Sequence, residues 1–205
     1  MTSYIDRILE DVRRSVELTG KSGEKTVFKE NVVFTIPCEN FEIPDDADLD
    51  GAVVDFDWFL KSAEKHTSIE HPSPSKSFWF RVWGEDAKSY GSAWDFFSLT
   101  ENLLSHDAQR RGVLYNFHDA HEPPCILNYH FQCTEFNKVS VTVFMRSSDL
   151  AKVLPQDTLM TWYLLRHVAK LIDHEVGNIT FMISNAHVYY EDLLEPDEFT
   201  VDGLD

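Results

Sequence analysis

The chain has 205 residues, 43% of them hydrophobic and 13% aromatic, enough for one domain with a sizeable core across 1–205. Its formal net charge of −17 disfavours a nucleic-acid polymer or an anionic membrane as partner, because that field repels polyanions. No apolar run approaches the roughly 18 residues of a membrane span, the first residues lack an apolar signal core, and Cys38, Cys125 and Cys133 form no CxxC, so a reducing, cytoplasmic setting is expected.

Residues 3–18 predict an amphipathic helix, with Ile5, Ile8, Leu9, Val12 and Val16 at helical spacing. A turn follows at 20–23. The alternation over 26–36 predicts a strand, 37–50 an acidic loop, and 51–65 a helix burying Val54, Trp58 and Phe59. The Ser, Pro and His of 66–77 predict a loop, and 91–106 a helix carrying Trp94, Phe97, Leu99 and Leu103. A strand is expected at 113–117. Strands 128–133 and 139–145 form a hairpin around 135–138, the second alternating Val139, Val141 and Val143 with Ser140, Thr142 and Phe144. Residues 157–174 are apolar around much of the helical circumference and predict a core helix. Gly177 ends the turn after it, 179–183 is a central strand, and an acidic tail beginning near 191–194 is expected to be partly disordered. Strands and helices mix without βαβ regularity, which gives an α+β class.

Cys125 is the chemically pointed residue. Pro123 and Pro124 fix an extended entry to it, and the second hairpin strand ends on Arg146. A guanidinium beside a thiol favours the reactive thiolate; the plain alternative is a small buried hydrophobe. His118, His121 and Cys125 are metal-ligand types without a fourth, so no metal is expected. The local signature of papain-like cysteine enzymes is absent, and Gly20-Lys21-Ser22-Gly23 is too short for a P-loop. Against the acidic background, Lys21, Arg110, Arg111 and Arg146 are the cations available to a small anionic ligand.

Taken together, Glu122-Pro-Pro-Cys125, Met145-Arg-Ser-Ser-Asp149, Leu154-Pro-Gln-Asp157 and Asn185-Ala-His-Val-Tyr189 resemble, in order and interval, the core blocks of the thymidylate synthase family. Arg110-Arg111, Tyr90-Gly91-x-x-Trp94 and Asp55-Phe-Asp-Trp58-Phe-Leu match further family signatures, so the resemblance covers roughly 5–193. Asp157 stands where methylating members carry Asn. Together with Lys21-Ser-Gly-Glu-Lys25-Thr26 and Met145, it moves the resemblance toward the phage-type deoxycytidylate 5-hydroxymethylase branch.

The resemblance implies a mixed sheet packed by helices, a homodimer through the sheet face, a pyrimidine nucleoside monophosphate of the (d)CMP type as substrate, and 5,10-methylenetetrahydrofolate as one-carbon donor. It implies that Cys125 adds to C6 of the ring while Asp55 and Asp157 handle protons. Lys21, Arg146 and Ser147 would hold phosphate, with Arg110 and Arg111 reaching the other subunit's site. His187 and Tyr189 would bind the sugar, Asp157 and His130 the base, and Trp83 and Asp149 the folate. Asp157 suits cytosine because a carboxylate accepts N4–H and one shared proton serves N3, whereas it faces uracil O4 with like polarity. A plain helix N-cap is the other reading of Asp157. Water adding at the last step gives a hydroxymethyl product and hydride a methyl product, so a dUMP/dCMP methyltransferase is the alternative, and a nucleotide-binding pseudoenzyme a third. The chain departs from the family in having Asp55 for a longer Glu, Ile126 for His, His130 for Gln and Asn185 for Asp. It also runs only to Asp205 after His187, so a shortened closing segment is expected.

Overall fold

The computed structural model describes Val12 and residues 16–19, 25–65, 69–83, 95–105, 112–115, 124–133 and 137–192. Seven strands form one sheet: β1 (Val16–Thr19), β2 (Lys25–Pro37), β3 (Gly112–Tyr115), β4 (Ile126–Cys133), β5 (Lys138–Met145), β6 (Ser148–Asp149) and β7 (Glu175–Tyr189). Their order is β1-β2-β7-β5-β4-β3, with β6 beside β7. β7 runs parallel to β5 and β6, and the other pairs are antiparallel. The helices are α1 (Leu49–Lys65), α2 (Phe78–Trp83), α3 (Phe96–Leu104) and α4 (Leu154–Leu171). This is the expected α+β class, with α4 crossing between parallel β5 and β7.

Alternation builds the core. Val32 faces Ile183 and Phe34 faces Phe181 across the β2–β7 register, the two phenyl rings stacking at 5.1 Å. Val139, Val141 and Val143 join the same buried face, against Leu159, Leu165 and Val168 of α4. Each such side chain contributes roughly 1.5–3 kcal/mol by leaving water. The opposite face shows Val33 58% and Met182 39% exposed, and no described helix covers them.

Several boundaries differ from the sequence expectation. Residues 16–18, read as the end of a helix, are strand β1. Helix α1 begins at Leu49, because Asp48 Oδ1 accepts the Gly51 amide at 2.9 Å and caps it. Asp95 caps α3 in the same way through Ser98 N–H. Helix α4 starts at Leu154, with Pro155 in its first turn and Val153 at the N-cap, so Asp157 lies inside the helix and is not its cap. Strand β7 spans 15 residues where five were expected, and Gly177 lies within it, not in the turn. A Cβ on Gly177 would sit 2.2 Å from Ser140 Oγ and 3.0 Å from the Val139 carbonyl, at the β5–β7 register shift. The turn itself falls at 172–174, where Asp173 takes φ 55°. The expected turn at 20–23 and the chain beyond Asp192 lie outside the described residues.

The extra length of β7 positions the site. Ile179, Phe181 and Ile183 are buried on one face, and the period of two carries the same face on to Asn185, His187 and Tyr189. On β2 the same happens in reverse: Val32, Phe34 and Ile36 face the core, Thr26 and Phe28 the cavity described next.

Candidate active site

A cavity of ≈ 930 Å³ opens where the apolar sheet face turns polar. That volume is at the top of the usual range for small-molecule sites, about 300–1,000 Å³. Cys125, Arg146, Ser147, Asp149, His187 and Tyr189 all line it. Three separate blocks of sequence thus meet at one surface.

Arg146 is fastened to the proline-cysteine segment. Its Nε–H donates to the Pro124 carbonyl at 3.2 Å, and its amide N–H donates to the Cys125 carbonyl at 2.9 Å. The stiff Pro-Pro entry and the end of β5 therefore hold thiol and guanidinium on neighbouring backbone. The other two cysteines differ in kind. Burial pushes the Cys38 thiol up to about 11 and raises that of Cys133, so both stay protonated in the core, whereas Cys125 is half-buried and faces the cavity.

Pairing of β6 with β7 sets Asp149 opposite His187, and Ser147 Oγ lies 3.3 Å from His187 Nδ1. Burial lowers the His187 pKa, while the Asp149 charge pulls the other way. Asp149 is raised by its own burial, opposed by amide hydrogen bonds from Lys152 and Ala151. Those amides, at 3.1 and 3.0 Å from Oδ1, commit Asp149 largely to shaping the 149–153 turn. Lys152, also at the cavity, is held by Glu191 at 2.6 Å and Asp192 at 3.1 Å.

Comparison with known proteins now bears on this arrangement. The family model described as Thymidylate synthase matches residues 3–198. The chain belongs to the thymidylate synthase family. Thymidylate synthase from Mycoplasma mobile is 26% identical over 136 residues, covering 60% of this chain and 47% of that protein. A putative thymidylate synthase from Methanopyrus kandleri is 26% identical over 160 residues, 76% of this chain and 72% of that one. The thymidylate synthase of Aliivibrio fischeri is 29% identical over 125 residues, 56% and 44%. The chain thus spans about half the length of the Mycoplasma and Aliivibrio relatives. The crystal structure of thymidylate synthase from T4 phage superposes with TM-score 0.75 at 18% identity, over 100% of this chain and 82% of that one, which establishes a shared fold. Thymidylate synthases use 5,10-methylenetetrahydrofolate as one-carbon donor.

Not every residue expected from the family signatures reaches the cavity. Asp55 is fully buried and does not line it. Its Oδ2 accepts the Phe78 amide at 3.0 Å and the Trp79 amide at 3.5 Å, and its Oδ1 meets His71 Nε2 at 3.1 Å. The Ser73 amide donates to His71 Nδ1 at 3.1 Å; an amide cannot accept, so Nε2 carries the hydrogen that Asp55 receives. Asp55 thereby caps α2, whose Phe78 and Val82 form an apolar cavity wall. Its carboxyl is raised by burial, against opposing bonds from Ser77, Trp79, His71 and Phe78.

Asp157 does not line the cavity either: it is one helical turn behind the wall residue Val153, whose carbonyl accepts its amide at 2.9 Å. It is 2% exposed, its Oδ2 has no hydrogen-bond partner among the described residues, and burial lifts its pKa well above the carboxylate range. His130 is on β4 opposite Val113 and Thr142, away from the residues that line the cavity. Its place is a consequence of period two: Tyr129 and Phe131 face the core, so His130 faces away. Lys21, Arg110, Arg111 and the Trp83 side chain lie outside the described residues. No group of three or more metal-ligating side chains occurs among the described residues.

Sequence reasoning passed over Phe28, Asp46, Phe78, Val82, Ser148 and Lys152, all of which line the cavity. Phe28 was legible in principle, because it keeps the parity of Val32 and Phe34 along β2. Asp46 and the α2 pair carry no local signal; only tertiary packing brings them in.

Proposed function

We propose that this family member is a folate-dependent one-carbon transferase forming 5-hydroxymethylcytidylate from cytidylate, 5,10-methylenetetrahydrofolate and water. The observation that carries the reading is Asp157, a carboxyl buried one helical turn behind the wall residue Val153, with one oxygen unpartnered among the described residues. Buried polar groups are nearly always satisfied, so such an oxygen calls for a proton or a ligand group. Burial supplies the first, and the neutral carboxyl then both donates and accepts. Against cytosine it accepts N4–H and shares its proton with N3. Cytosine N3 is itself basic, so the proton rests between two comparable partners. Uracil O4 is not basic, and the carboxyl must keep the proton alone. That difference favours cytidylate.

The shared proton also serves the chemistry. It draws electron density from the ring, and the Cys125 thiolate adds to C6, which makes C5 nucleophilic. Arg146 and Ser147 hold the phosphate, completed by Lys21 and, from a second subunit, Arg110 and Arg111. His187 and Tyr189 take the sugar. The apolar wall of Phe78 and Val82 suits a planar heterocycle, and 5,10-methylenetetrahydrofolate held there supplies one carbon at the formaldehyde level. Overall, C5–H becomes C5–CH₂OH, with water providing the hydroxyl and tetrahydrofolate leaving. The open sheet face around Val33 and Met182 is the proposed homodimer surface.

A second reading follows from the relatives' names: methylation of uridylate. The same neutral carboxyl, turned over, donates to O4 and accepts N3–H. Incubation with CMP, dCMP or dUMP plus the folate, read by mass spectrometry, separates the two. A gain of ~30 Da on a cytidylate supports hydroxymethylation, and ~14 Da on uridylate supports methylation, the cofactor dictating the unit transferred. Nucleotide binding with no product, unaffected by Cys125→Ala, would sink both and leave a binding protein.

A further inference from the structure

We propose that Thr158 and Thr161 are positioning residues for Asp157: with it they hold an internal water on the core side of α4, and that water fixes the carboxyl for the base. The water site stands on the geometry of the helix alone. Its effect on base choice rests on the cytidylate reading above.

The stripe of α4 that packs toward β5 and β7 runs Leu154, Thr158, Thr161, Leu165 and Val168, at the spacing of four and three that keeps to one helix face. All five are at most 1% exposed, so two hydroxyls interrupt an otherwise apolar core stripe. A helical threonine often turns its hydroxyl onto a carbonyl one turn back. Thr100 of α3 does so, donating to the Phe96 carbonyl at 2.9 Å and the Phe97 carbonyl at 3.0 Å. Thr158 and Thr161 do not: each Oγ1 is buried and has no hydrogen-bond partner among the described residues, and Asp157 Oδ2 is in the same condition. Ser62 on α1 and Ser148 on β6 each bring one such oxygen, whereas α4 gathers three in little more than one turn.

Thr161 is the neighbour the other two share, four residues after Asp157 and three after Thr158. Helical side chains tilt toward the N-terminus, so Thr161 leans back over both. Cβ atoms at these spacings are about 5–6 Å apart, a separation that one water bridges with two O–H···O bonds of roughly 2.8 Å each. A buried water typically makes about three hydrogen bonds, and three oxygens wait here. A threonine hydroxyl both donates and accepts, so it serves the water in either orientation. An acid oxygen that shares its proton with cytosine N3 keeps a lone pair that accepts from water. The water thus anchors the carboxyl and leaves its proton to the base.

The test compares wild type with Thr158→Val, Thr161→Val and the double variant, which keep the shape and lose only the hydroxyl. Water magnetic relaxation dispersion on the full chain counts long-lived internal waters, and the double variant should hold fewer than wild type. Equal counts overturn the proposal. Urea denaturation asks the same question through stability. A hydroxyl buried dry and unbonded is unfavourable, so its removal would raise the midpoint. A hydroxyl bonded to water leaves that water short of a partner when removed, and the midpoint should fall; a rise in both single variants refutes the site. For the positioning role, Thr161→Val should lower the cytidylate-to-uridylate ratio of kcat/KM by about tenfold, the weight of one hydrogen bond. Thr161→Ser, which keeps the hydroxyl, should restore it. A ratio that Thr161→Val leaves unmoved overturns the positioning role. If no nucleotide turns over, the cytidylate reading fails, while the water count still decides the site.

Discussion

Two buried carboxylates sit behind the cavity and differ in one respect. Asp55 is surrounded by donors: the His71 ring and the amides of Phe78 and Trp79. Asp157 is as deeply buried, yet its Oδ2 meets no donor among the described residues. A satisfied carboxylate needs no ligand group to complete its hydrogen bonds, and this one ties down the start of the helix that carries Phe78 and Val82. An unsatisfied one is costly until a proton or a partner arrives, a cost that proteins keep at functional sites. The family signature alone suggests a proton-transfer role for both. Their surroundings separate them.

The largest effect should come from unmaking the satisfied one. Asp55→Asn turns an amide N–H toward the Nε2–H of His71, and His71 can accept it only by giving up the Ser73 amide. Leaving a buried donor facing a donor in place of hydrogen bonds to a carboxylate typically costs about 1.5–3 kcal/mol, and urea denaturation should show a loss of that size. Because the α2 wall loosens, the KM for the folate should rise more than that for the nucleotide. A loss below about 1 kcal/mol, the range of exposed ion pairs, would mean that Asp55 is not the keystone of α2.

The second effect falls on base choice. Asp157→Asn removes the group able to share a proton with cytosine N3, so the kcat/KM ratio of cytidylate to uridylate should fall by about 10²-fold. Folding should be intact, since the amide occupies the same volume. An unchanged ratio would remove Asp157 from base recognition. A smaller, independent consequence concerns the open sheet face. Met182→Glu places a charge on this proposed dimer surface, and sedimentation should find wild type as a dimer and the variant shifted toward monomer; a distribution identical to wild type would remove this face from the proposal.

How far these two residues were legible in the sequence follows from what fixed each position. The intervals linking Cys125, Arg146 and His187 are set by strand parity and one crossover, so sequence spacing maps directly onto the cavity wall. The Arg146–Cys125 neighbourhood, for the same reason, was readable from a Pro-Pro entry and the end of a hairpin. The start of α4 was not. Asp157 looked like an N-cap because Asp favours that position, but Pro155 fits the first helical turn and draws the start back to Leu154. The surroundings of Asp55 were hidden for another reason: nothing local announces that His71 and the start of α2 will close around it. Helix α2 itself escaped notice because Phe78, Trp79, Phe80 and Trp83 give no amphipathic period.

The pH dependence of stability sharpens the contrast further, and here the sign decides. Burial raises the Asp157 pKa above its unfolded value, so the folded state holds a proton that the unfolded state releases. Below about pH 4, the ordinary Asp value, both states are protonated and the group contributes no pH dependence. As pH rises above that, the unfolded chain ionises first, and the native state loses stability by up to about 1.4 kcal/mol per unit until the folded pKa is reached. Asp55 and Asp149 shift in the same direction, so the wild-type curve alone does not isolate one residue. The difference between wild type and Asp157→Asn does. Measured by urea denaturation from about pH 2.5 to about pH 8, it should be flat at the acid end and then widen in favour of the variant once the ordinary Asp value is passed. A difference that stays flat throughout would mean that folded Asp157 ionises as readily as unfolded Asp157. The proton offered to cytosine N3 would then be absent at neutral pH, and the preference for cytidylate would lose its physical basis.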